Sequence, residues 1–502
     1  MELQTTVFEN KHDFAVSENL IPLCELAKTF EEAGEFERAM ETLHPFWNDL
    51  AERPSTSGLT ENEEAELLLR AGTLTGWLGS AKQVSGAQER AKDLISESAS
   101  IFASLGLTEK VAETGVDLAI CYWREGGLDE ARVTLRHVLD TLGETQSEQR
   151  LRALLNSAIV EKVATRDHEA LRIYKDAAPL FEHSTNHALK GKFHNSHATL
   201  LKSVGLSEQR EDYIDKALVE FTAASFHFEQ AGHERFQARV ENNVGFLFAN
   251  IGRFDEAQQH LTRARALHLS VGDKGGAAGA DDTRAQAFLL EGRNEEAERV
   301  ARGAVKFLKE GGEQTVLAEA LTTHATALAR VGQPASAQNT LDQAIEIARN
   351  AGDPDRGGIA AITAIEELSS HLSSELVQTY YNTAESLLQK SQNRGIKARL
   401  GECARGILQR EFAKVSAGAE TDAPRTQVSM DTGFSLDSEV LRYEGNLIRQ
   451  ALEASGGSVT RAARMLGVTH QGLAFILNGR HSDLLSVRTP VKRRRRSIIR
   501  YR

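Results

Sequence analysis

Seven glycines constrain this chain more than anything in its composition. Gly232, Gly272, Gly312 and Gly352 lie 40 residues apart, and Gly252, Gly292 and Gly332 fall midway between them at the same period. A period of this size marks a stack of supersecondary units, each of which buries its apolar face only against its neighbours. Five residues after each midway glycine stands an alanine: Ala257, Ala297 and Ala337. The same pair recurs earlier as Gly34 with Ala39 and Gly126 with Ala131. Glycine lets a chain reverse between two helices, and alanine on the second helix lets it approach the first closely.

The remaining positions of the unit are filled consistently. Large side chains precede the glycine by four (Phe30, Tyr122, Phe248, Phe288, Leu328), and leucines follow the alanine by four (Leu43, Leu135, Leu261, Leu341). Small residues stand three further back on the first helix: Ala27, Ala119, Gly245, Ala285 and Ala325. The pattern resembles the tetratricopeptide (TPR) repeat, in a form of about 40 residues rather than about 34. The resemblance spans roughly Asn19 to Gln409. Units near Ala170 with Tyr174, and near Ala217 with Phe221 and Ala224, lack the turn glycine, and Gly205 to Asp215 reads as an inserted loop. Eight prolines and 6% aromatic residues suit an almost wholly helical chain.

A different organisation begins near the C-terminus. The stretch Ser458 to Arg480 offers Ala463 where two short helices would cross and Gly467 where the chain would reverse, which a helix-turn-helix requires. Ala462, Leu466, Val468, Leu473 and Ile476 would close it onto a third helix, Tyr443 to Ala454, through Leu447, Ile448, Ala451 and Leu452. Gly456 and Gly457 end that helix, and Ser458 is a candidate cap for the next. The second helix of the pair, about His470 to Asn478, would enter the major groove with its first residues at the base edges.

Gly457 to Ala463 and Met465-Leu466-Gly467 resemble the Fis-type helix-turn-helix of bacterial Fis and of NtrC-like activators. The resemblance covers about Leu441 to Arg480. It implies phosphate contacts at Thr460 and Arg461 and groove contacts at Thr469, His470 and Gly472, to which position adds Gln471. Ser458, Arg464 and Arg480 join the phosphate candidates. The sequence departs from the family in mid recognition helix, where Ala474 and Phe475 replace the usual basic residues. Fis-type units generally pair, so the resemblance also implies a homodimer. The plainer alternative is a three-helix bundle that binds no nucleic acid.

The expected architecture is therefore all-α: a TPR-like α-solenoid of helical-hairpin repeats, then a small three-helix helix-turn-helix domain. Boundaries fall at 1–413 for the repeats, 414–437 for a flexible linker, 438–482 for the Fis-type domain and 483–502 for a basic tail. The linker reading rests on VSAGAETDAPRTQVSMDTGFSL, which has no sustained periodicity.

Charge divides the same way. Residues 439–502 carry 13 Lys+Arg against 4 Asp+Glu, a net of +9, whereas the whole chain carries −12, leaving −21 for residues 1–438. The tail holds Lys492, Arg493, Arg494, Arg495 and Arg496 within a stretch free of acidic residues, as phosphate clamps would require. The competing reading is a disordered tail that adds solubility.

Other chemistries find little support. No phosphate-binding glycine loop, zinc-protease motif or paired-cysteine site occurs, and an ATPase engine of the kind found beside Fis-type domains in activators is missing. Cys24, Cys121 and Cys403 are scattered, as in a cytoplasmic protein with reduced thiols. The N-terminal stretch has no basic region followed by an apolar run, and no membrane span is expected. His183, His187, His194 and His197 have helical spacing, but no carboxylate or cysteine is spaced to complete a metal site, and packing is the simpler reading. No cofactor is expected.

A stack of helix pairs forms a concave groove lined by first helices, and Asn242, Asp282, Gln286, Thr322 and Thr326 could line it for a protein or peptide partner. By position alone each is equally an ordinary solvated or inter-repeat side chain. Together these features point to a DNA-binding transcription regulator without enzymatic activity, partnered by double-stranded DNA and a protein ligand. The alternative is an interaction scaffold whose C-terminal bundle docks on protein.

Overall fold

The turn glycines adopt the conformation that the period demands. In a computed structural model, Gly34, Gly126, Gly232, Gly252, Gly272, Gly292, Gly332 and Gly352 all have φ between +67° and +84°. Each closes its helix in the same way. At Gly252, for example, the Arg253 amide donates to Phe248 O (2.9 Å) and the Gly252 amide to Ala249 O (3.2 Å), which satisfies carbonyls that a helix end leaves unpaired. The structure describes residues 20–418 and 435–487 apart from 82, 83, 85, 312, 313 and 392. Gly312 and the whole cationic tail, Lys492 to Arg496 included, lie outside the described residues.

The array runs α1 (Leu20–Ala33), α2 (Phe36–Thr42), α3 (Glu61–Ala81), α4 (Ala87–Ser104), α5 (Thr108–Arg124) and α6 (Leu128–Leu142). It continues through α7 (Glu148–Val163), α8 (Asp167–Glu182), α9 (His187–Glu208), α10 (Glu211–Gln230), α11 (Glu234–Asn250) and α12 (Phe254–Ser270). The last pairs are α13 (Lys274–Glu291) with α14 (Asn294–Gly311), α15 (Gln314–Arg330) with α16 (Pro334–Asn350) and α17 (Pro354–Leu368) with α18 (Ser374–Leu388), followed by α19 (Arg394–Gly418). Helix α19 thus extends into the stretch expected as linker. Among the described residues every element is helical. Consecutive helices pack as hairpins, and each hairpin packs on the next. The array is a TPR-like solenoid.

Alanine and leucine at the repeat positions are buried completely: Ala39, Ala131, Ala257, Ala297, Ala337, Leu43, Leu135, Leu261 and Leu341. The close approach they allow is tight. A Cβ built on Gly245 would lie 2.6 Å from Leu261 and 3.2 Å from the Ala257 carbonyl oxygen. The core is accordingly a succession of local clusters rather than one mass.

The expected loop from Gly205 to Asp215 is not a loop. Gly205 lies inside α9 under Ile214, with only Gln209 and Arg210 between helices. Gln209 takes the left-handed conformation (φ 55°) that glycine supplies elsewhere, and Thr165 does the same (φ 54°) before the Ala170 unit. The reversal is kept without glycine, at the cost of strain in a side-chain-bearing residue.

First helices are tied to one another by polar contacts. Arg70 on α3 reaches Glu31 on α1 (2.6 Å) and Glu113 on α5 (2.7 Å), and Arg152 on α7 reaches Asp117 on α5 (2.6 Å). Asn243 on α11 donates to Asn195 on α9 (3.2 Å), and Arg356 on α17 pairs with Glu319 on α15. One contact spans much further: Arg235 on α11 donates to the Gly34 carbonyl (2.6 Å) across 201 positions, and the Phe236 ring covers Gly34.

The chain divides into two compact units, Met1–Arg410 and Glu411–Arg502. The second contains α20 (Leu436–Ala454), α21 (Val459–Met465), α22 (His470–Asn478) and a short 3₁₀ turn, Ser482–Val487.

Candidate nucleic-acid interface

Helices α21 and α22 are joined by Gly467 at φ 67°, and the Val468 amide donates to Ala463 O (2.9 Å), so α21 ends as the array helices do. Ala462 and Ala463 are buried, and Leu473 and Leu477 of α22 close on Ile448, Ala451 and Leu452 of α20. Two expectations need correction. Val468 and Leu447 are 43% and 41% exposed, and their place in the core is taken by Leu477 and by Leu484 of the 3₁₀ turn. The third helix also begins at Leu436, well before Tyr443.

One face of α22 is left to solvent. His470, Gln471, Phe475 and Asn478 are exposed with Ala474 between them, and Phe475 is 81% exposed. Gly472 is half-buried. Thr469 is the N-cap: its Oγ1 accepts from the Gly472 amide (3.0 Å), which engages the hydroxyl in holding the helix start. Ser458 occupies the N-cap position of α21, but its side chain makes no cap hydrogen bond there, contrary to expectation. Thr460 is exposed beside it.

The arginines fall into two groups. Arg461 and Arg464 are exposed on α21 and carry no ion pair among the described residues. Arg480 is held by Glu444 of α20, and Glu444 also binds His481 Nε2 at 2.9 Å. Burial alone would raise the Glu444 carboxyl, but the hydrogen bonds from Arg480 and His481 bring it below its usual range. His481 is 6% exposed, and a Cβ on Gly445 would lie 3.1 Å from its ring. The spacing of Glu444 and His481, 37 residues apart, carries no signal of this lock between α20 and the C-terminal turn, which only the tertiary fold brings together.

Residues 442–474 match the family described as bacterial regulatory protein, Fis family. The C-terminal unit is a Fis-type helix-turn-helix. Among solved structures, a Rap protein complexed with Competence and Sporulation Factor is similar over 78% of this chain and 99% of that one, at 15% identity and a TM-score of 0.50. Yeast Tom70 is similar over 82% of this chain and 85% of its own, at 16% identity and a TM-score of 0.45. The search of curated proteins returned no match. In sequence the Fis-type unit therefore follows a solenoid whose fold is shared with the Rap structure.

The expected groove residues lie on first helices but differ in availability. Asp282 is 4% exposed, its Oδ2 accepting from Gln286 Nε2 (2.8 Å), which also lies 3.5 Å from Thr323 Oγ1. Burial, then Glu319, raises the Asp282 carboxyl to about 7. Thr322 and Thr326 are half-buried and donate to carbonyls of their own helix, and the Oδ1 of Asn242 is buried without a partner among the described residues.

Of the four histidines, His183 is exposed. His194 and His197 meet Glu220 of α10 (2.6 and 3.3 Å), and His187 meets His227 (3.0 Å between Nδ1 atoms). Burial and then His194, Lys190 and His187 push His227 down to about 4. Among the described residues no group of three or more ligands is arranged to hold a metal ion. No described helix is long and apolar enough to cross a membrane.

Proposed function

We propose that this protein is a DNA-binding transcription regulator whose TPR-like array receives a protein or peptide partner. The observation that carries the reading is the Fis-type unit itself, with the exposed face of α22 beside Arg461 and Arg464, cations that no carboxylate engages among the described residues. In such a geometry His470 and Gln471 reach base edges while Thr460, Arg461 and Arg464 fix register on phosphates. Phe475 replaces a cation with an apolar surface suited to a thymine methyl group. Lys492 to Arg496, with Ser458 and Arg480, supply further phosphate contacts.

The unit acts as a homodimer in this reading. Val440, Tyr443 and Leu447 share one stripe of α20, exposed by 57%, 69% and 41%, which a second copy would cover. The array's part is supported by its fold, since the similar Rap structure holds Competence and Sporulation Factor. No catalytic step belongs to this reading.

Fluorescence anisotropy of the full chain with genomic fragments, at increasing salt, tests it. Each arginine removed from Arg461, Arg464 or Arg493 to Arg496 should weaken all sequences alike and flatten the logarithmic salt slope by about 0.9. His470→Ala and Gln471→Ala should instead alter sequence preference. Absence of salt-dependent retention would overturn the reading, and loss of protein partners on removing residues 437–502 would favour a scaffold.

A further inference from the structure

Along the array the first helices answer one another's charges, but one step lacks its partner. Between α7, α9 and α11 lies an open pocket of about 530 Å³ lined by Lys162, Lys202, Phe246 and Leu206 with Thr199, Ser203 and Ser207. That volume falls in the range of small-ligand sites. Among the described residues neither lysine forms an ion pair, although both are partly buried. The charge that bears most on Lys202 is Lys162, of like sign, and Asp167 is the carboxylate that bears on Lys162. The Lys202 ammonium lies 4.9 Å from the centroid of the Phe246 ring.

Burial and then the neighbouring cation lower Lys202 to about 8, and burial lowers Lys162. Both directions express a cost of holding positive charge here without an anion. The cost is conspicuous in a region whose net charge is −21 over residues 1–438.

We infer that this pocket binds a phosphate monoester dianion, with Lys162, Lys202 and Ser203 on the phosphate and Phe246 against its organic part. A phosphate monoester carries about −1.5 to −2 at neutral pH, which answers two ammonium groups, whereas a single carboxylate answers one. Among the described residues the Ser203 hydroxyl donates no hydrogen bond, while Thr199 and Ser207 donate to Asn195 O (2.8 Å) and Val204 O (3.1 Å) and keep acceptor capacity. The inference deepens only the array half of the proposed function, so loss of DNA binding would leave it standing.

Calorimetric titration of the full chain with inorganic phosphate, a sugar phosphate and a phosphoserine peptide tests the pocket, with acetate as the monoanion control. A phosphorylated probe should bind, and the tighter of the two esters identifies the source of the phosphate. Lys162→Met with Lys202→Met should weaken binding at least tenfold, and Ser203→Ala several-fold. Because the C-terminal arginines are unchanged in these variants, the loss is assigned to the pocket. In anion-free buffer Lys202→Met should also melt higher than the parent, a gain that a merely structural lysine would not give. No binding by any phosphorylated probe at millimolar concentration, equal binding by the double variant, or equal binding of acetate overturns the inference.

Discussion

Arg70 lies 3% exposed between Glu31 and Glu113 in the array, whereas Arg461 and Arg464 stand in solvent on α21 with no ion pair among the described residues. Burial would push the Glu113 carboxyl up, yet Arg70, Lys28, Arg152 and Lys110 together hold it far below its usual range. The first arrangement uses charge to fasten neighbouring hairpins, and removing one partner would strand the other in a dry interior. The second leaves charge available for a ligand, because a solvated arginine adds little to folding. The two regions also differ in how they are held: the array by a series of local clusters, the Fis-type unit by one small core.

The largest expected effect breaks that contrast most directly. Leu452 is fully buried in the small core, and Leu452→Ala should cost about 2–5 kcal/mol. DNA retention should vanish while the array's thermal transition stays in place; a common shift of both would mean that the units do not fold independently. Asp282→Asn comes next. A carboxyl raised from 3.8 to about 7 keeps its proton in the folded state between those values while the unfolded chain loses it, so stability falls as pH rises through that window. The asparagine variant should flatten this slope and gain up to roughly 4 kcal/mol above pH 7, as denaturation at pH 5 and 8 would reveal.

Gly245→Val should cost about 1–3 kcal/mol by forcing α11 from α12, and hydrogen exchange should localise the loosening to neighbouring hairpins. A uniform loosening along the array would contradict its clustered core. Thr469→Ala is expected to be smallest, about 1 kcal/mol from the lost cap. Affinity should then fall alike for all DNA sequences; a changed preference would assign Thr469 to base reading.

Much of the array was legible because its packing rule repeats. Gly252 and Ala257 recur at one period, and every copy must satisfy the same turn and the same close approach. Gln209 and Thr165 escaped because they perform the glycine's task with residues that seldom do so, and a missing glycine suggested an insertion. In the Fis-type unit the helices were legible from Ala463 and Gly467, as were the core positions Ile448, Ala451, Leu452, Ala462 and Leu473, but Leu447 and Val468 were misplaced. Leu477 and Val468 are both apolar beside a turn, and only the crossing of α21 and α22 decides which is covered. The Glu444 lock on Arg480 and His481 depends on tertiary contact and has no periodic signature.

The contact between Arg235 and Gly34 has a mechanical consequence. A stack whose members touch only their neighbours stretches by summing small rotations, like a coil spring. A hydrogen bond that returns across 201 positions fixes the circumference of the segment it encloses. Extension of the array should then fall first on the hairpins beyond α11, while the enclosed turns move together.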